Sequence, residues 1–451
     1  MKVVIIGAIA AGSKAASKLN RLRPNWEIVI YSNEKNIAYS ECGMPYYIAG
    51  YINDINNLIV RTPKEFRKKG INVNICHKVL NINPSKKELL VKNLNTNEIF
   101  TTGYDRLIIA TGAVPYVPYF ENNFLDNIFT LRTLEDGMAV KNAVLQSNNA
   151  VILGGGYIGI EVLEAMVQQK LNVTLINSND YIMQVFDKDM SETIQKQIYM
   201  KSLENVKILN NDTIISCHGK NKVEKVITKN GHEINTDMVL IAAGIVPNVE
   251  LAKNAGVEIG QTGAIKVNSR MQTNIKDIYA CGDCAEKRHI VADAPCWIPL
   301  GSTANKEGRC CAINVADMYD EFEGVLGSAV TKYFNYTMSL TGLNEKKAIS
   351  YGFEPISVVV KKNDKAGYMP DVQTIVIKLI ADKTSHRILG AQGLGLGEVD
   401  KRINALTSAL LSKMTIEEFY DDDSTSAPPF STSIDPMLTA TQNLLHKLSS
   451  L

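Results

Sequence analysis

Several things are scarce in this 451-residue chain. Eight cysteines are too few to hold so long a chain together as a disulfide scaffold, which points to free thiols in a reducing cytoplasm. Neither charge sign is in excess. The 48 Lys+Arg and 47 Asp+Glu leave a net charge of +1, which argues against a basic nucleic-acid-binding face and against an acidic tail. No apolar run approaches the roughly 18 residues that mark a membrane span. The N-terminal MKVVIIGAIAAGSKAASKLN is punctuated by glycines and followed by basic residues, so it reads as a buried strand and turn rather than a secretory signal. The six histidines show no ligand spacing, and no metal site is expected.

What is present suits buried cores: 45% of residues are hydrophobic and 21% charged, in a length that allows about three domains. Val3 to Ile6 form a continuous apolar run, as in a strand buried on both faces. Gly7 to Gly12 read as a turn, Ser13 to Leu22 as a helix and Glu27 to Tyr31 as a second strand. The same grammar returns with Val151–Leu153, Gly154–Gly159, Ile160–Gln169 and Val173–Ile176. Two such units suggest two dinucleotide sites. Another pair of segments matches: Tyr104 to Gly112 and Thr236 to Gly244 are each an apolar strand ending in small residues, with Pro115 and Pro247 just beyond. The expected division is a first domain split into 1–115 and 247–325, a second inserted at 116–246, and an α+β unit at 326–451. That last unit has β-rich stretches at Ile356–Val360 and Thr374–Leu379 and a helix at Lys401–Met414.

A dinucleotide turn needs glycine to turn sharply, to let the backbone approach a pyrophosphate and to bring helix against strand. Gly154-Gly155-Gly156-Tyr157-Ile158-Gly159 satisfies G-x-G-x-x-G, whereas Gly7 to Gly12 has Ile9 at the middle glycine. The acidic ribose ligand expected about 20 residues on is absent from both units. Ser32, followed by Glu34, stands after the first, and Asn177 and Ser178 after the second. NADH and NADPH both remain open. The strand ending Tyr279-Ala280-Cys281-Gly282-Asp283 offers an Asp that can accept a hydrogen bond from a flavin ribityl hydroxyl.

Cys42, in Ser40-Glu41-Cys42-Gly43-Met44-Pro45-Tyr46-Tyr47, is expected near a helix start, where backbone N–H groups lower a thiol pKa. On spacing alone a buried, inert cysteine fits as well, and no second cysteine lies within the next ten residues. Cys281 and Cys284 form a C-x-x-C inside the flavin strand, with no matching pair to complete a zinc site. Lys14, Lys18 and Arg21 share one helix face, either solvated or a clamp for a phosphorylated substrate arm, to which Lys64, Arg67, Lys68 and Lys69 are candidates to add.

Jointly, the Cys42-Gly43-Met44-Pro45-Tyr46-Tyr47 segment, Gly154–Gly159, Ala110-Thr111-Gly112, Tyr279–Asp283 and Ala427-Pro428-Pro429-Phe430 resemble the single-cysteine branch of the pyridine nucleotide-disulfide oxidoreductases. The resemblance is greatest to the coenzyme A disulfide reductase, NADH oxidase and persulfide reductase group and covers nearly the whole chain. It implies an α/β fold with two Rossmann-like domains, the FAD domain split by an inserted NAD(P) domain, and a C-terminal α+β dimerisation domain. It further implies a cytoplasmic homodimer. FAD would contact Gly7, Gly12, Ser32, Thr111, Gly112 and Asp283. NADH or NADPH would lie on Gly154, Gly156 and Gly159, near Tyr157 and Glu161. Cys42 would be the redox nucleophile, and Tyr368 would act in the other subunit's site.

The chain departs from the family pattern in places. Ala10 stands where oxidase and peroxidase members carry His, which counts against oxygen or peroxide as acceptor. Ala38 and Glu41 replace the Ser and Asn of coenzyme A disulfide reductases, Ser426 replaces a partner-subunit Tyr, and Ile434 a Lys. Arg21 matches a coenzyme A contact, while Lys14 and Lys18 replace uncharged ones. The resulting expectation is an enzyme reducing coenzyme A disulfide or persulfide, held by Lys14, Lys18 and Arg21. The alternatives are a flavin NADH oxidase or polysulfide reductase, or a redox-sensing flavoprotein acting on a protein partner through the acidic loop Asp421–Asp423.

Overall fold

The computed structural model describes residues 1–202 and 204–450. The apolar run at the N-terminus forms the strand Lys2–Ile6, flanked in parallel by Glu27–Tyr31 and Arg106–Ile109. Ile71–Asn74 and Ile278–Ala280 add the two outer strands, both parallel. This first sheet therefore takes its last strand from far along the chain. One face is covered by the helices Ala10–Leu22 and Gly301–Val315, which meet through small residues such as Ala11, Ala15, Ala304 and Ala312. Gly308 permits the approach, because a Cβ there would run into the Ala11 carbonyl oxygen. The other face packs on the antiparallel strands His77–Asn83, Glu88–Asn93 and Ile99–Gly103.

The second sheet is also parallel, in the order Val206–Asn210, Asn172–Asn177, Asn149–Leu153, Met238–Ile241, Ile128–Phe129. The chain enters it through Ala113–Pro115 and leaves through Ile245–Pro247, and these two crossing strands pair antiparallel. The third sheet is antiparallel, ordered Ala329–Tyr333, Tyr336–Gly342, Ile388–Gly395, Thr374–Asp382, Pro355–Asn363, with the helices Val399–Leu411 and Pro436–Ser449 packed on it. Lys378, 3% exposed at its side chain, ties this sheet to the second unit. It reaches Asp189 (3.0 Å), Asp187 (3.3 Å) and Glu345 (3.0 Å), and Gln392 donates to Asp187 (2.7 Å).

Element boundaries differ from the sequence expectations in instructive ways. The first helix begins at Ala10, not Ser13, and its counterpart Tyr157–Gln168 begins at Tyr157, not Ile160. Gly12 and Gly159 are thus inside helices, and each turn is only three residues long. The helix expected at Lys401–Met414 runs Val399–Leu411, ending there because Lys413 adopts φ +56° and the Met414 amide turns back onto the Ala409 carbonyl.

Candidate active site

Both strand–turn–helix units are built on the same backbone contacts. Gly7 (φ +100°) and Gly154 (φ +118°) are in the left-handed region. A Cβ on either would strike a carbonyl oxygen of the neighbouring strand, that of Ala110 or Ala242. A Cβ on Gly12 or Gly159 would strike the Gly7 or Gly154 carbonyl. The matched segments around Ala110 and Ala242 therefore press on the glycine turns. The two helices, with Ile9 and Gly156 at their N-cap positions, have no side-chain cap or first-turn acid, which leaves their first N–H groups free for an anionic ligand.

A cavity of about 1080 Å³ opens beside the first turn. Among the residues expected to bind cofactor or substrate, Gly7, Ser32, Thr111, Gly112, Asp283, Cys42, Lys14 and Arg21 line it. Gly12 does not; it lies in the helix against the Gly7 carbonyl. Lys18 also falls outside the lining, as do Lys64, Lys68 and Lys69, while Arg67 turns to the Val73 carbonyl. Arg61 comes in instead, 3.3 Å from Ser17 Oγ. Tyr368 is 77% exposed, away from this cavity. The second-turn residues sit apart, in their own sheet.

The fit of FAD to the first site rests on its polar groups. Asp283 Oδ1 is buried without a hydrogen-bond partner, so it has an acceptor to offer a ligand hydroxyl. Glu34 also lines the cavity and accepts from Tyr39 Oη (2.6 Å). The Thr111 hydroxyl is already committed to the Asn248 carbonyl (2.6 Å). These features, with the open helix start, suit a dinucleotide carrying a polyhydroxyl chain.

Cys42 lies in the single turn Glu41–Gly43, followed by the helix Met44–Ile48. Of the eight cysteines it alone is exposed. Its thiol is not activated as its helical position suggests: desolvation raises its pKa, and the carboxylates of Glu161, Glu41 and Asp283 raise it further, against Arg132. Glu41 Oε2 lies 3.2 Å from Arg132 Nη1, and Arg132 Nη2 is 3.8 Å from Asp283 Oδ2. Burial pushes Glu41 up to about 7 even so, with Arg132 opposing and Asp283 and Glu34 adding to the rise.

A second, small cavity is lined by Tyr46, Tyr51, Glu161, Glu164 and Lys332. Glu161 Oε1 accepts from the Thr331 hydroxyl (2.9 Å), and burial raises its pKa. Glu164 accepts from the Phe334 amide (2.7 Å) and pairs with Lys332 (3.4 Å), whose ammonium lies over the rings of Tyr46 and Tyr51. The first strand of the third sheet thus contacts both glutamates. Glu164 was within reach of sequence reasoning, being three residues from Glu161 on one helix face. Thr331 and Lys332 carried no such signal. At the second sheet, Asn177 is buried and its amide is spent on the Asn179 carbonyl and Asn210, so no carboxylate stands at the strand end. Cys281 and Cys284 are both buried, and Cys284 donates to the Ile109 and Cys281 carbonyls. No group of metal-ligating side chains occurs among the described residues.

Two dinucleotide-type sheets, each with an uncapped helix start on a glycine turn, and a single exposed thiol in the cavity of the first define a thiol-based oxidoreductase with two nucleotide sites. The chain belongs to the pyridine nucleotide-disulphide oxidoreductase family, whose model matches residues 1–308, with the family's dimerisation domain matching 328–438. Membership implies FAD and a pyridine nucleotide. The chain is 34% identical over 441 residues to the NAD(P)H sulfur oxidoreductase (CoA-dependent) of Pyrococcus furiosus, covering 97% of each. It is 31% identical to a coenzyme A disulfide reductase of Staphylococcus aureus, covering 95% of this chain and 96% of that one. The solved NAD-dependent persulfide reductase from A. fulgidus superposes with a TM-score of 0.96 at 34% identity, over 100% of this chain and 84% of that one. No helix among the described residues is long and apolar enough to cross a membrane.

Proposed function

We propose that the chain forms a homodimeric, FAD-dependent NAD(P)H:disulfide oxidoreductase that reduces coenzyme A disulfide or coenzyme A persulfide through Cys42. One observation carries this reading: the single exposed thiol opens into the cavity lined by Lys14 and Arg21, cations suited to a phosphorylated thiol carrier. The names of the relatives supply the substrate class. The crossing strands at 113–115 and 245–247 support division of the chain at 115/116 and 246/247.

FAD, when bound, supplies the two-electron relay between nicotinamide and sulfur. Gly7, Ser32, Thr111, Gly112 and Asp283 would hold it, with Gly12 bringing the helix start close. Gly154, Gly156 and Gly159 would receive the nucleotide, with Tyr157 and Glu161 beside it. The Cys42 thiolate attacks one sulfur of the substrate disulfide. A Cys42–substrate disulfide forms, the substrate S–S bond breaks, and the second thiol leaves as thiolate. Tyr368, exposed and not part of its own chain's cavity lining, would give that thiolate a proton in the site of the other subunit.

Anaerobic mixing with NADH or NADPH, followed by coenzyme A disulfide, tests the reading. The wild type should be reduced by at least one nucleotide and reoxidised by the disulfide. Cys42→Ser should still accept hydride but turn over at least about a thousandfold more slowly. Full turnover by that variant would refute the thiol mechanism.

A further inference from the structure

The turn that presents Asp283 is gripped from beneath by a buried ion pair. Gly282 adopts φ +84°. Its amide donates to Glu307 Oε2 (2.6 Å), and its carbonyl accepts from Lys287 Nζ (3.0 Å), which also donates to the Ala285 carbonyl (2.9 Å). The Asp283 carbonyl accepts from Trp297 Nε1 (2.7 Å). Lys287 Nζ and Glu307 Oε1 are 3.3 Å apart, and both side chains are wholly buried. Neither lines the cavity, so neither touches what fills it. Asp283 does line it, with Oδ1 buried and unpartnered.

A buried ion pair is a poor way to gain stability, since an apolar pair of similar size usually does as well. This one is spent on backbone groups: both peptide groups of Gly282 and the carbonyl of Ala285. Burial pushes the Glu307 carboxyl up, while the Lys287 ammonium and the Gly282 amide oppose the shift.

We infer that Lys287 and Glu307 are positioning residues for the flavin: by clamping both peptide groups of Gly282 they fix the direction in which Asp283 offers its free oxygen to the cofactor. The inference rests on the flavin reading of this cavity. Lys287 comes from the strand Lys287–His289 and Glu307 from the helix Gly301–Val315, so the clamp also joins that helix to the turn.

The test is titration of apoprotein with FAD, followed by flavin fluorescence, beside thermal melts of the same apoproteins. Wild type, Lys287→Met, Glu307→Gln, Asp283→Ala and the two doubles with Asp283→Ala are compared. Each clamp variant should raise the FAD Kd about tenfold in the wild-type background. It should add less than about twofold once Asp283 is Ala, because a residue acting through Asp283 has nothing left to position. Lower melting temperatures with an unchanged FAD Kd, or losses that simply add to that of Asp283→Ala, would overturn the clamp. If Lys287→Met fails to fold with an unpaired buried carboxylate, Lys287→Met/Glu307→Gln, which carries neither charge, takes its place in the cycle. A wild type that binds no FAD would sink the flavin reading itself.

Discussion

Cys42 sits between a cation and three carboxylates, and their balance sets when it becomes a thiolate. Arg132 favours ionisation, whereas desolvation, Glu161, Glu41 and Asp283 oppose it. The thiolate fraction therefore rises with pH, with a midpoint above the ordinary thiol value. Glu41, held up to about 7, is ionised above that pH and repels the thiolate only there. Glu41→Gln should accelerate alkylation of Cys42 several-fold at about pH 8.5, and the advantage should vanish by about pH 6, where Glu41 is already protonated. Iodoacetamide labelling followed by mass spectrometry reads this directly; equal rates at both pH values would show that Glu41 does not act on the thiol. Gly43 and Pro45 make the cysteine segment legible in sequence. Its electrostatics are not, because Glu161 and Asp283 arrive from other elements and a local helix start argues the opposite sign.

At the scale of elements, the paired strand–turn–helix units were readable because each glycine role leaves a mark at fixed spacing. The helix starts were not, since Gly12 and Gly159 look like turn residues while serving close helix-to-turn contact. The glycines of the second turn are also not equivalent. Gly154→Ala meets both φ +118° and the Ala242 carbonyl, and should cost about 3 kcal/mol of stability. Gly156 has nothing within 4 Å of an added Cβ, and its φ of −87° is open to any residue. Gly156→Ala should cost less than about 1 kcal/mol, yet weaken NADH binding by crowding the approach of the pyrophosphate. Thermal melts beside nucleotide titration separate the two effects. A Gly156→Ala protein with unaltered NADH affinity would remove that glycine from the site.

Across the whole molecule, near-zero net charge conceals pairings between units. Lys378 interrupts the apolar strand Thr374–Asp382, and nothing local explains it, because Asp187 and Asp189 lie nearly two hundred residues earlier. Lys378→Met should leave Asp187 buried without its cation and cost about 3 to 5 kcal/mol. Urea unfolding should show the loss while FAD affinity stays as in wild type, since no residue of the latch lines the cavity beside the first turn. Retained stability would mean that Gln392 suffices to hold Asp187. Tyr368, Phe430 and Ile434 are exposed, at 77%, 77% and 57%. Nothing in one chain accounts for that exposure, and only the family resemblance suggested a second subunit.

The antiparallel pairing of Ala113–Pro115 with Ile245–Pro247 brings the two ends of the inserted unit side by side. In polymer terms the whole insert is the loop of a hairpin, and the closure entropy of a loop grows only slowly with its length. A nucleotide unit of another size or preference can thus be grafted between these strands without resetting the register of the flavin sheet. That would make the choice of electron donor adjustable within the insert, provided the helix that carries Glu161 and Glu164 keeps its place beside Cys42.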